Sequence, residues 1–303
     1  MRLLTRSDFD GIACAVLLKE MGLMDEMVYA HPKDLQAGDV AVTKDDILAN
    51  VPYVEGCGLW FDHHSSEEER LNLEGRYEGR SMRAPSAARV ICDYYGPEKF
   101  EKFAEMLEYV DKVDSGQLTE EEILNPTGWV LLGFICDPRT GLGYHKEYRI
   151  SNLQLMHDLM GYLGEKSIDE ILVLPDVQER VQRYIENDER CKQFLQEHSR
   201  VDGPVVITDA RGVGQLPPGN RFLVYSLYPA TNISIRLIDG KGKEFVALSV
   251  GYSVLLRTST VDVGSLMLRY GGGGHRMVGT CQVPYADADR VLGEVIAAIK
   301  AEG

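Results

Sequence analysis

No apolar run in the 303 residues reaches the roughly 18 that a membrane-spanning helix requires, so no membrane partner is expected. The opening stretch MRLLTRSDFDG meets Asp8 and Asp10 too early for the apolar region of a secretory leader, and the expected location is cytoplasmic. Cysteine is sparse and never paired as C-x-x-C. Cys14, Cys57, Cys92, Cys136, Cys191 and Cys281 sit mostly in apolar contexts such as GIACAVLL and LLGFIC, which marks them as reduced core residues. Positive charge is short as well. A formal net charge of −15 repels polyanions and sets aside tight, sequence-independent binding to long duplex DNA, while small phosphorylated ligands stay open. There is no fixed-period repeat and no low-complexity tract, so neither a solenoid nor a compositionally biased tail is expected.

What the chain does contain is a change of pattern along its length. Its first half alternates short apolar runs, at residues 3–5, 47–49 and 59–61, with helical ones. Residues 12–21 form an apolar helix behind a turn at 8–11. In APSAARVICDYYG, Pro85 suits a helix start and Ser86 can cap it. Phe103, Met106, Leu107, Val110 and Val113 recur at helical spacing. Residues 168–198 are charged and helical in pattern and read as a connecting helix. After them PVVIT, RFLVYSL, NISIRLI and EFVALSV read as β-rich runs, with DGKGK as a turn between the last two. The expected fold class is α/β in two domains: residues 1–190 with a mostly parallel sheet flanked by helices, and 200–303 as a smaller α/β domain with a mixed sheet.

Ligands of an open α/β sheet bind beyond the carboxyl ends of its strands, and two polar segments stand at such positions. SDFDG follows the first apolar run and offers Asp8 and Asp10. FDHH follows the run ending at Phe61 and offers Asp62, His63 and His64. A D-x-D pair alone is common in turns, where aspartate bonds its own backbone; the strand-end placement of both segments in one domain is what points to a metal. The mixed oxygen and nitrogen donors suit manganese, with magnesium second. Such an ion polarises a phosphoryl oxygen and lowers the pKa of a water.

With SDFDGIA, FDHH and the downstream YGGGGHRMVGT in this order, the chain resembles the DHH superfamily of phosphoesterases, in its branch with a DHH-associated C-terminal domain. The resemblance spans nearly the whole chain. It implies that Asp8 and Asp10 are metal ligands, that His63 is a third, and that Asp62 and His64 orient the ligand and contact the substrate phosphate. It also implies a later ligating aspartate, for which Asp111 is the first choice, Asp114 the second and Asp137 the third. Two positions depart from the pattern. Leu4, Thr5 and Arg6 stand where a histidine or further aspartate is usual, and Asn50 stands where a metal-bridging aspartate is usual. Arginine cannot ligate a cation, and an amide lacks the carboxylate charge. The resulting expectation is one metal held by Asp10, His63 and a later aspartate, with Arg6 supplying positive charge in place of a second; the cofactor is Mn2+ or Mg2+, one or two ions.

Gly271 to Gly274, followed by His275 and Arg276, is the second concentrated signal. Glycines free the backbone to turn N–H groups toward an anion, although a glycine after a helix is also an ordinary cap. Gly272, Gly273, Gly274, His275 and Arg276 are therefore candidate substrate contacts, with Arg257 in VLLRTSTVDVG added by the resemblance.

The expected function is metal-dependent hydrolysis of a small phosphorylated substrate at an interdomain cleft: a short oligonucleotide, a cyclic dinucleotide or a nucleotide bisphosphate. One alternative is phosphoanhydride hydrolysis, as in an exopolyphosphatase or pyrophosphatase. The other is a non-catalytic nucleotide or phosphate sensor with a degenerate metal site. A homodimer is compatible with either.

Overall fold

The computed structural model describes residues 1–64 and 77–302, in two compact units. The first comprises Met1–Leu118 and Asn125–Ile185; the second comprises Thr119–Leu124 and Glu186–Gly303. No helix among the described residues is long and apolar enough to cross a membrane.

The first unit is built on a five-stranded parallel sheet of β1 (Arg2–Thr5), β2 (Glu26–Tyr29), β3 (Asp46–Ala49), β4 (Leu59–Asp62) and β5 (Gly79–Ser81), in the order β2-β1-β3-β4-β5. All four residues of β3 are buried, as expected where helices cover both faces of a parallel sheet. The chain leaves β1 for β2 on one side and later returns to β3 on the other. That reversal opens a crevice at the carboxyl ends of β1 and β3, and SDFDG emerges there.

Helix α1 (Phe9–Glu20) starts directly after Asp8, and ten of its twelve residues are buried. Helix α2 (Ala87–Tyr95) is capped by Ser86, whose hydroxyl accepts from Arg89 N at 3.0 Å. Helix α3 (Ala104–Asp114) carries Met106, Leu107, Val110 and Val113 inward. Helix α4 (Gly128–Cys136) is apolar on all sides and almost wholly buried. The segment 168–198 is not one connecting helix. It is a short helix Ile168–Leu172 followed by α6 (Pro175–Glu186), which ends at the unit boundary, and α7 (Asp188–His198); α5 (Asn152–Glu165) precedes them.

The second unit holds a six-stranded mixed sheet that runs from β6 (Ser199–Asp202) through β10 (Gly273–His275) to β11 (Val278–Pro284), in the order β10-β11-β9-β8-β7-β6. Strands β7 (Val205–Asp209) and β8 (Ile233–Asp239) are parallel, and the other pairs are antiparallel. Strand β8 and the first six residues of β9 (Phe245–Tyr252) alternate buried and half-buried residues, the period of a sheet packed on one face. Helix α8 (Val263–Leu268) and the C-terminal α9 (Ala288–Glu302) fill that face. Val291, Val295 and Ile299 of α9 pack with Ile233, Ile235, Leu237 and Leu248, and each such burial contributes about 1.5–3 kcal/mol.

RFLVYSL, read as β-rich, instead contains the short helix Leu223–Leu227. Asn220 decides it: its side-chain oxygen accepts from Phe222 N at 3.0 Å and starts a turn, while its amide donates to the Ile123 carbonyl at 3.1 Å. All six cysteines are free thiols, five of them buried.

Candidate active site

The carboxyl ends of β1, β3 and β4 and the ends of three helices bring two groups of acids together, and the groups differ. The first centres on Asp8. Its backbone is extended (φ −142°, ψ 177°), and its Oδ1 accepts from Gly11 N at 2.9 Å, a helix cap worth about 1 kcal/mol. The same oxygen accepts from Asn50 Nδ2 at 3.0 Å, and Oδ2 lies 3.1 Å from Arg6 Nε. Asn50 is buried and left-handed, φ 57°, a conformation asparagine tolerates better than most residues. The turn closes so tightly that a Cβ on Gly11 would stand 2.0 Å from the Arg6 carbonyl oxygen. Three donors thus surround Asp8, one of them a full positive charge.

The second group centres on Asp10, in the first turn of α1. Both its oxygens accept backbone N–H bonds from the start of α2, Oδ2 from Ala87 at 2.9 Å and Oδ1 from Ala88 at 2.8 Å. His63 stands 3.2 Å from the Ala84 carbonyl through Nδ1. A carbonyl only accepts, so Nδ1 carries a proton and Nε2 is the nitrogen turned toward the acids. That nitrogen lies 3.4 Å from Asp114 Oδ2 and 3.8 Å from Asp10 Oδ2. Ligand atoms of Asp10, His63 and Asp114 all fall within 4.8 Å of one another.

Asp10 has a buried histidine beside it where Asp8 has an arginine. Burial, then the neighbouring Asp114 charge, pushes the Asp10 carboxyl up to about 7, with His63 acting the other way. For His63, burial opposes protonation, but Asp114, Asp10 and Asp62 outweigh it and raise its pKa. Asp62 adds a further sign. Its Oδ1 holds His64 Nδ1 at 2.8 Å, while the fully buried Oδ2 has no hydrogen-bond partner among the described residues. Crowded acids and an imidazole nitrogen turned toward them fit a divalent cation held by Asp10, His63 and Asp114.

Asp111, the first choice for the later aspartate, is engaged elsewhere. Its Oδ1 accepts from Ser86 Oγ at 2.6 Å, and its Oδ2 accepts from Arg89 Nε at 2.8 Å with Nη2 at 2.7 Å. It fixes the residue that caps α2, and α2 in turn holds Asp10. Asp114, one turn later on the same helix face, is the residue placed beside His63. Asp137 caps the turn after α4, and its Oδ1 accepts from both the backbone N (2.8 Å) and the Nε (2.7 Å) of Arg139. Arg139 carries no motif of its own in the sequence; its one signal is its place in DPRTG, two residues after Asp137.

In the second unit the glycine segment is less of a loop than its sequence suggests. Gly273–His275 form β10, which pairs with β11 through a two-residue turn at Arg276 and Met277. The N–H groups of Gly271 and Gly272 donate to the carbonyls of Leu268 and Met267 at the end of α8, so they are not turned toward an anion. The missing side chains serve a close crossing: a Cβ on Gly272 would stand 2.1 Å from the Thr280 carbonyl oxygen, and one on Gly274 2.2 Å from that of Val278. His275 is half-buried and Arg276 exposed. Arg257 is exposed and left-handed, φ 46°, with Nε donating to the Val254 carbonyl at 2.9 Å. Positive φ at a bulky side chain is costly and concentrates at functional positions.

No family model matches the chain, and no curated protein sequence matches it. Among solved structures, PggH from Vibrio cholerae, a pGpG-specific phosphodiesterase, is 45% identical, with 100% of this chain and 99% of that chain covered at a TM-score of 0.77. Two more distant structures share the fold at 12% identity. A DHH domain from a protein described as a member of a ribosomal-protein family covers 98% of this chain and 85% of its own at a TM-score of 0.60. An exopolyphosphatase-related protein from Bacteroides fragilis covers 98% and 91% at 0.50.

Proposed function

Because the chain belongs to the DHH superfamily of phosphoesterases, we propose that it is a metal-dependent phosphodiesterase that cleaves a linear dinucleotide of the pGpG type. The observation that carries this reading is the Asp10–His63–Asp114 cluster in a chain 45% identical over its whole length to a pGpG-specific enzyme. Asp10, His63 and Asp114 are assigned as ligands of a divalent cation, manganese by the softness of the imidazole donor. When bound, that ion supplies Lewis acidity toward a phosphoryl oxygen and acidifies a water.

The remaining steps belong to the chain's own residues. Water adds at phosphorus, one P–O ester bond breaks, and the water's proton ends on the departing sugar hydroxyl. His64, held by Asp62 at 2.8 Å, is assigned to the phosphoryl oxygens as a hydrogen-bond donor through its outer nitrogen. Ala84 holds the proton on His63 Nδ1, which turns Nε2 toward the cation site. Arg6, paired with Asp8, provides fixed positive charge where related enzymes use further ligands. In the second unit, Arg257, His275 and Arg276 are assigned to phosphate contacts; Gly272 and Gly274 serve by letting the chain lie close against β11, and Gly273 lies between them.

Protein purified without chelator, then assayed with manganese against pGpG, a 3′,5′-bisphosphate nucleotide and polyphosphate, tests the reading. Cleavage of pGpG to two mononucleotides with one manganese per chain is expected. Turnover of polyphosphate alone would favour the anhydride hydrolase. Binding of pGpG without turnover would favour a sensor, and two manganese ions per chain would overturn the single-cation assignment.

A further inference from the structure

The turn after α4 carries an arginine that neither the cation ligands nor the Asp8 group uses. Gly133 of α4 sits against the side chains of Val113 and Phe9: a Cβ there would stand 3.0 Å from Val113 and 3.3 Å from Phe9. Phe9 lies between Asp8 and Asp10, and Val113 directly precedes Asp114. One helical turn beyond Gly133, α4 ends and Asp137 begins the turn that carries Arg139. Packing of an otherwise featureless apolar helix therefore delivers this turn to the neighbourhood of the acids, and the Arg139 charge lies in the field of Asp137, Asp8 and Asp114.

The turn is rigidly made. Asp137 is buried, its Oδ1 accepts from both the N and Nε of Arg139, and its carbonyl accepts from Thr140 Oγ1 at 2.8 Å. Anchored at Nε, the guanidinium makes no hydrogen bond through its two terminal nitrogens among the described residues, and the side chain is 42% exposed. A planar fork with both outer nitrogens available, fixed from behind by a buried carboxylate, matches two oxygens of one phosphoryl group.

We propose that Arg139 is a catalytic residue whose terminal nitrogens hold two non-bridging oxygens of the phosphoryl group under attack, with Asp137 as its positioning residue. The proposal rests on the phosphodiesterase reading above. It also gives the Asp137 carboxylate a use: an arginine held at one edge loses little freedom when its other edge binds.

The test is pGpG hydrolysis in saturating manganese by the full chain and by Arg139→Gln and Arg139→Lys, with added guanidinium. For Arg139→Gln, kcat is expected to fall on the order of 100-fold, with roughly ten-fold recovery in guanidinium, while manganese affinity stays within about three-fold. Arg139→Lys should fall between, because a point charge replaces a fork. The proposal is overturned if kcat of Arg139→Gln stays within about three-fold of the parent, or if guanidinium restores nothing to a variant that melts at the parent's temperature and binds manganese. If the parent cleaves no pGpG, the functional reading fails by itself; calorimetric pGpG affinity then decides, a loss of roughly ten-fold in Arg139→Gln supporting the contact and no loss removing it.

Discussion

Asp8 and Asp10 stand two residues apart in one motif, yet the fold treats them in opposite ways. Asp8 is closed: Gly11 and Asn50 donate to one oxygen and Arg6 lies against the other. Asp10 is held by two backbone N–H groups and then set against a second carboxylate and an imidazole. The difference comes from residues 6 and 50. An amide at the end of β3 donates to Asp8 where a carboxylate would repel it, and an arginine after β1 supplies the charge that an ion would otherwise bring. One half of the site is neutralised by the polypeptide, and the other gathers two acids and an imidazole that suit the proposed cation. A carboxylate's sequence motif therefore does not fix its chemistry; its donors do.

The largest effects should come from the open half. Asp10→Asn, His63→Ala and Asp114→Asn are each expected to lose manganese and lower pGpG turnover on the order of 1,000-fold or more, the equivalent of several kcal/mol of transition-state stabilisation. Asp8→Asn should keep manganese affinity within about three-fold, because its charge is already balanced by Arg6. Equal metal loss in Asp8→Asn and Asp10→Asn, read by calorimetric titration, would break the contrast between the halves.

A conversion of the closed half comes next. Asn50→Asp would put a second buried carboxylate at the present 3.0 Å contact with Asp8, and an uncompensated buried charge costs about 3 kcal/mol. Melting in chelator should drop by several degrees, and manganese should recover the loss as a second ion enters. A melting temperature unchanged in chelator would mean that Arg6 alone can balance two acids.

Smaller still is the effect expected one step back from the ligands. Asp111 lies outside the ligand cluster; it holds Ser86 and Arg89, and the helix that Ser86 caps holds Asp10. Asp111→Ala is expected to weaken manganese binding by about 10–100-fold, the usual range for groups that orient ligands. A loss as large as that of Asp114→Asn would make Asp111 a ligand after all.

Much of this site can be read from the chain because strand ends and motifs coincide. SDFDG and FDHH lie at the ends of short apolar runs; β1 ends with its run and β4 one residue past its own, at Asp62. Asp111 and Asp114 show where reading stops. They share a helix face, and which of them meets His63 depends on how far α3 extends past α2, a tertiary quantity set by Ser86 and Arg89 reaching Asp111. The glycines mislead for a similar reason. Four in a row announce backbone freedom, but the need at Gly272 and Gly274 comes from the carbonyls of Thr280 and Val278 on the neighbouring strand. The short helix Glu120–Leu124 belongs with the second unit, through contacts such as Asn220 to Ile123 across 97 positions, which no local pattern carries.

The smallest expected effect separates the halves without mutation. Without a metal, burial and the Asp114 charge push the Asp10 carboxyl up to about 7 from an ordinary 3.8, so the folded state binds that proton more tightly than the unfolded chain. The resulting penalty is absent below about pH 4, grows as pH rises across the interval, and is complete above about pH 7. His63, also raised, acts in the same direction: its contribution is present below its ordinary value and is lost as pH rises through the folded one. Asp46, with Arg2 Nε at 2.7 Å, is the opposite case. Burial raises its pKa, but the Arg2 and Thr43 hydrogen bonds outweigh it and hold it low, so its contribution is present at neutral pH and lost only in acid. Melting of the chelated protein should therefore fall between about pH 4 and pH 7, with His63 carrying the fall above its ordinary value, and saturating manganese should flatten the slope because a cation replaces the proton. A flat profile in chelator would mean that the open half is already neutralised by the chain, and the distinction between Asp8 and Asp10 would go with it.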